Sequence, residues 1–375
     1  MVSTTAIATL FFALLGLANA SPIETEHQQV KRCTATISSY SDVATAVASK
    51  CATVVVNSFT VPGGKAFDLS GLTTGTTVSM AGDVVFTAAQ WDGPMFIIDG
   101  EGITFQGNGH QFDGQGAKLW DTLGSNGGVT KPQFLKLKHS GTFSNLKVIN
   151  SPRQVFSIGS NSAQLTVDNV SIDNSAGDQL SSSGKPLAHN TDCFDVSASN
   201  VIIKNSRCVN QDDFIAINAG SNIQFLNNYG SGGHGISIGS IQTGKTVSGV
   251  TISGNTVVKS DNGLRIKTVY GATGASVSDV TYSGNTVTSA NKYGVVIQQD
   301  YENGSPTGTP TNGVAISNIN FTGTNTVSVA SGGQEVYVLC GSGSCKGTWD
   351  WSGLKVSGGS KGSITGNPPI KNFSL

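Results

Sequence analysis

A parallel β-helix, all-β and closed at its start by one short helix, is the fold this sequence predicts. Three observations carry the prediction. Gly fills 48 of 375 positions and charged residues only 12%. That balance favours short strands and tight turns over long helices, which need Glu, Lys, Ala and Leu. Second, "VTISGNTVVKS" (250–260) and "VTYSGNTVTSA" (280–290) are near copies. Third, strand-like segments align into ladders. Val196, Ile217, Ile238, Ile266 and Ile297 share one position, and Phe194, Ile215, Ile236, Leu264 and Val295 fall two residues earlier. Alternation at period two sends both sets to the same side of their strands, so each rung buries its aliphatic face only by stacking on the next. A sandwich would also show short strands, but it would not repeat like residues rung after rung.

The elements follow in chain order. Residues 1–20 read as a secretory signal: an apolar core too short to span a bilayer, then the small residues "ANA". Residues 21–32 are polar and end in Lys31–Arg32, which reads as a pro-segment removed on secretion, leaving 33–375 as one catalytic domain. "SDVATAVASK" (41–50) places Val43, Ala46 and Val47 on one helical face behind Ser41 as cap, and would cover the open end of the stack. The net charge of −1 excludes a nucleic-acid partner held by global charge, and no later segment is apolar enough to cross a membrane. Six cysteines remain after the clip. In a secreted chain they read as three disulfides between neighbours: Cys33–Cys51, Cys193–Cys208 and Cys340–Cys345, with other connectivities left open by the sequence.

"NTDCFDV", "QDDFIAI" and "GHGISIG" are successive rungs. Asp213 lies 21 residues after Asp192 and 21 before His234. Rungs sit ~4.8 Å apart, so Asp192, Asp213 and His234 should form a column with Asp212 beside it. Arg265 and Lys267 flank the inward Ile266 on the next strand. Alone, each motif is ordinary turn chemistry or a wet strand face. Shared register changes the reading, because independent turns have no reason to gather on one surface. Crowded carboxylates hold a proton to higher pH, so one can act as a general acid while others stay ionised. That division suits glycoside hydrolysis, and the two cations suggest an anionic sugar.

With "NTD" (190–192), "QDD" (211–213), "GHG" (233–235) and "RIK" (265–267) in this order and spacing, the chain resembles the fungal polygalacturonases over nearly all of its mature length. "QQDYENGSPTG" (298–308) and the Cys340–Cys345 loop are also similar. The resemblance implies a right-handed parallel β-helix. It implies endo-hydrolysis of α-1,4 links in de-esterified pectin, with inversion, by a secreted monomer that needs no metal or cofactor. A host inhibitor protein is an implied partner. Asp212 matches the general acid, and Asp192 and Asp213 the pair that activates water. His234 matches the histidine that sets the protonation of the acids. Arg265 and Lys267 match the binders of the substrate carboxylate, and Tyr301 and Asn190 match substrate contacts.

One departure stands out. The family's bridge beside "QDD" and "GHG" is replaced here by Phe214 and Tyr229, while Cys193 and Cys208 lie 21 residues before them. The bridge is expected one coil earlier, with a Phe214–Tyr229 aromatic contact in its old place. Four sequons, at Asn169, Asn303, Asn320 and Asn372, are candidate glycan sites. Rival readings are an exo-acting, xylogalacturonan or rhamnogalacturonan hydrolase, a calcium-dependent pectate lyase, and a non-catalytic carbohydrate-binding solenoid. No long insertion closes an end of the groove, which favours endo over exo action.

Overall fold

The computed structural model describes residues 1–2, 31–159, 163–303 and 305–375. Most of the signal segment and most of the pro-segment, residues 3–30, lie outside the described residues. The dibasic pair opens the first strand, Lys31–Ile37, which pairs in parallel with Cys51–Val56.

Among the described residues the strands form a 20-stranded assembly, an 11-stranded sheet and a terminal pair, with every named ladder parallel. This is the expected parallel β-helix. Both inferred ladders are present: Val196 pairs with Ile217, Ile217 with Ile238, Ile238 with Ile266, and Ile266 with Ile297. They extend beyond the predicted rungs, to Phe156 on one side and Val336 on the other. All these aliphatic side chains are fully shielded from solvent. Each such burial contributes about 1.5–3 kcal/mol.

Long strands turn a corner and serve two faces. Ile215–Leu226 bends at Gly220, whose φ of 118° places it against the Ala198 carbonyl with no room for a Cβ. A second buried ladder marks the opposite corner. Asn228, Asn255 and Asn285 each give their backbone N–H to the side-chain oxygen of the asparagine one coil on, at 2.9–3.1 Å, the last to Asn325. Their amide nitrogens donate to carbonyls of the preceding coil, so these three buried amides are paired at both ends.

The two ends are closed differently. The helix Asp42–Ala48 covers the first coils with Val43 and Ala46 buried. Its start is not held by Ser41, which makes no side-chain cap bond. Asp42 instead fixes the turn that enters the helix: its carboxylate accepts the backbone N–H groups of Ser38 and Ser39 at 3.0 and 2.8 Å. At the far end Trp349 and Trp351 are both fully buried, their rings 6.2 Å apart, and Trp351 covers Phe321.

All three neighbour disulfides form. The substitute for the missing bridge differs from expectation. A bulge after Val196 shifts the register by one residue, so Cys208 pairs with Gly230 and Arg207 with Tyr229. The Phe214 ring therefore packs on Gly230, where no Cβ fits, and Tyr229 lies outside under the Arg207 guanidinium. A large residue over glycine fills the space that two cysteines fill one coil earlier.

Candidate active site

The site is built on the outer face of four consecutive coils. Asn210 sets the backbone of the central turn. Its buried amide donates at 3.0 Å to the carbonyls of Thr191, Asp212 and Asp213, tying the Asp192 rung to the next. Gly233, at φ 56°, lets the chain pass directly over the Asp212 carbonyl. The following N–H, from His234, then donates to that carbonyl at 2.9 Å.

Asp213 is 1% exposed and holds three partners. Lys267 Nζ reaches Oδ2 at 2.9 Å; Ser237 Oγ donates to Oδ1 at 2.8 Å, and Arg265 Nη2 binds the same oxygen. Arg265 Nε also donates to Ser237 at 2.9 Å. Burial alone would push the Asp213 carboxyl up, but Arg265 and Lys267 outweigh it and hold the group well below the usual carboxylate range. The two cations thus lie in the groove as the sequence predicts, already engaged with an internal carboxylate.

Asp212 belongs to a different network. Register sets Asp213 opposite His234, but the imidazole turns to Asp212, its Nδ1 2.9 Å from Oδ1. Asn190 donates to Oδ2 at 3.2 Å. The other end of that amide is locked by Ser125, whose N–H and hydroxyl both reach Asn190 Oδ1 at 3.0 Å. Burial pushes Asp212 up, while His234 brings its net shift below the ordinary value; burial pushes His234 down, while Asp212 brings it above. Both shifts favour an imidazolium–carboxylate pair over two neutral groups.

Asp192 has no side-chain hydrogen bond among the described residues and is 8% exposed. Burial, then the charges of Asp212, Asp195 and Asp213, push it well above the ordinary carboxylate value. Asp195, outward between Phe194 and Val196, was not singled out by sequence reasoning. Burial and the neighbouring Asp213 and Asp212 push it up to about 7. Ser125, Asn210 and Ser237 were missed too. Only Asn210 left a signal, as the residue preceding "QDD".

Tyr301 sits at the edge of the cluster, its ring centroid 4.9 Å from Lys267 Nζ. One donor atom each of Asp212, Asp213 and His234 lie within 4.8 Å of one another. A metal there would face Arg265 and Lys267, and charge repulsion disfavours it. A cleft of about 510 Å³ opens beside His234, lined by Asn126, Lys185, His189 and Asp261. Of the sequons, Asn169, Asn303 and Asn372 are exposed, whereas Asn320 is half-buried and accepts the Asp350 N–H at 2.9 Å. No helix among the described residues is long and apolar enough to cross a membrane.

A β-helix whose carboxyls are pushed in opposite directions within one trough has what acid–base cleavage of a glycosidic bond requires, and its class is glycoside hydrolase. The chain belongs to glycosyl hydrolases family 28, whose profile matches residues 51–374. It is 48% identical over 342 residues to a polygalacturonase of Cochliobolus carbonum, covering 88% of this chain and 90% of that one. It is 47% identical to endopolygalacturonase B of Emericella nidulans, covering 86% and 87%. The solved structure of endopolygalacturonase I from Stereum purpureum, complexed with two galacturonates, matches with a TM-score of 0.83 at 49% identity. That match covers 90% of this chain and 98% of the other.

Proposed function

We propose that the chain is a secreted endo-polygalacturonase, cutting α-1,4 links inside de-esterified pectin chains with inversion, and matured by loss of residues 1–32. The carrying observation is the buried trough in which Asp212 is tied to His234 and Asp213 to Arg265 and Lys267. The names of relatives nearly half identical over most of the chain support the same substrate.

In the proposed step the bond from the anomeric carbon to the bridging oxygen breaks. The Asp212–His234 pair supplies the proton that this oxygen takes up, delivered from Asp212. Water attacks the anomeric carbon from the opposite face and gives its proton to the carboxylate pair Asp192 and Asp213. Arg265 and Lys267 keep Asp213 ionised and present N–H groups to the carboxylate of the sugar. Tyr301 borders the same subsite.

A second reading follows from one observation. The carboxyl that burial and like charges keep protonated is Asp192, which would make Asp192 the acid and Asp212 a base. Reducing-end release from polygalacturonate, compared with an aryl galacturonide whose leaving group needs no proton, separates the two. Under the first reading Asp212→Asn loses about 10²–10⁴-fold on the polymer and little on the aryl substrate, while Asp192→Asn fails on both. The reverse pattern transfers the acid role to Asp192. Persistence of wild-type activity in a chelator distinguishes hydrolysis from a calcium-dependent lyase.

A further inference from the structure

Four arginines occur in the chain, at 32, 153, 207 and 265. Arg265 is bound to Asp213, and Arg207 lies 4.6 Å over the Tyr229 ring. Arg153 has neither kind of partner. It is half-buried, and its Nη2 donates to the neutral Asp92 carbonyl at 3.1 Å. Its Nε is shielded from solvent and meets no acceptor among the described residues. Among these residues no carboxylate forms an ion pair with it. Asp92 and Asp195 act on it only from a distance. Partial burial of a guanidinium without a counter-charge costs free energy, so the empty side of this group is an incomplete binding arrangement.

Its position points to what completes it. Val155, two residues on, donates its N–H to the Asp192 carbonyl at 2.9 Å, which sets Arg153 one rung before the Asp192 coil. It is therefore two rungs from Asp212, roughly 10 Å along the axis. A cleft of about 220 Å³ opens there between Arg153, Asp92 and the glycine-rich loop that includes Gly127 and Gly128. The other cation of the cleft, Lys131, is neutralised by Asp121 at 2.6 Å. Arg153 is thus the cation of the cleft left without a carboxylate. The same loop carries Ser125, which holds Asn190 and through it Asp212. The cleft and the catalytic trough therefore share a wall.

We propose that this cleft is a distal subsite in which Arg153 binds the carboxylate of a uronic acid residue upstream or downstream of the scissile pair. The inference rests on the polygalacturonate reading. A guanidinium that lines the cleft without a carboxylate partner suits the carboxylate of a ligand, and a polyanionic chain lying along the coils supplies one at each sugar.

The test uses Arg153→Gln, which keeps a neutral donor for Asp92, and Arg153→Lys, which keeps the charge. KM is measured on polygalacturonate and on the shortest oligogalacturonate the enzyme cleaves, and binding of polygalacturonate is measured by calorimetry. The expected result is a rise of about tenfold or more in the polymer-to-oligomer KM ratio for Arg153→Gln, largely restored in Arg153→Lys. An unchanged ratio in Arg153→Gln overturns the subsite, and so does an equal loss on both substrates. If the wild type binds polygalacturonate without cleaving it, the hydrolase reading falls. Weaker binding by Arg153→Gln, restored in Arg153→Lys, then still upholds the subsite, and equal binding overturns it.

Discussion

The two sides of the carboxylate trough follow opposite electrostatics with the same residue type. On the C-terminal side Asp213 is almost wholly buried, yet Arg265, Lys267 and Ser237 keep it ionised. On the N-terminal side Asp192 is also buried and Asp195 is half-buried; neither has an ion-pair partner among the described residues, and both are pushed toward the neutral form. The difference teaches that depth in the groove does not decide protonation here. The strand two coils on decides it, by offering or withholding a cation within reach of the carboxyl. Between the two sides stands Asp212, whose Oδ1 lies 2.9 Å from His234 Nδ1.

The sharpest way to break the contrast is to remove its ionised member. Asp213→Asn leaves Arg265 and Lys267 buried against a neutral amide, and should cost about 3–5 kcal/mol of stability with loss of polygalacturonate cleavage. Denaturant unfolding and reducing-end assays read both; a stable variant would mean the ion pairs matter little. Lys267→Met is milder. Asp213 keeps Arg265, its pKa rises toward the ordinary value, and the acidic limb of the kcat/KM profile moves up by about one pH unit or more.

The smallest effect sharpens the other side. A carboxyl whose folded-state pKa is raised stabilises the fold below the unfolded pKa and loses that contribution as pH rises through the folded value. For Asp195 the loss runs from the model-peptide value of 3.8 up to about 7. Asp195→Asn should therefore unfold at a temperature a few degrees higher than wild type near neutral pH, by about 2–4 °C, and at an equal temperature near pH 3. A uniform shift at both pH values would assign the effect to packing instead of charge.

Much of this was legible in the residues. Inward ladders recur at rungs of 21 to 31 residues with like residues in register, so Val196 to Ile297 and the column of Asp192, Asp213 and His234 follow from alignment of the repeats. Rotamers do not. Counting gives Cα register, and register alone sets His234 beside Asp213; the turn at Gly233 and the cations on Asp213 send the imidazole to Asp212. The one-residue bulge after Val196 likewise exchanged Tyr229 for Gly230 as the counterpart of Cys208. Contacts between loops have no period at all. Ser125 lies 65 residues from Asn190, and nothing in either segment announces the other.

The asparagine ladder has a consequence for how such a chain can grow. Asn255 donates to Asn285 ahead of it and to the carbonyl of Phe225 behind, and its side-chain oxygen accepts the Asn228 N–H, so each step carries both halves of its own joint. A tandem copy of one such segment would meet a matching socket at either junction. The near-identical stretches at 250–260 and 280–290 have the form such a copying event would leave. Lengthening the trough by ~4.8 Å in this way would extend the reach of the molecule along a polymer while leaving the reacting coil untouched.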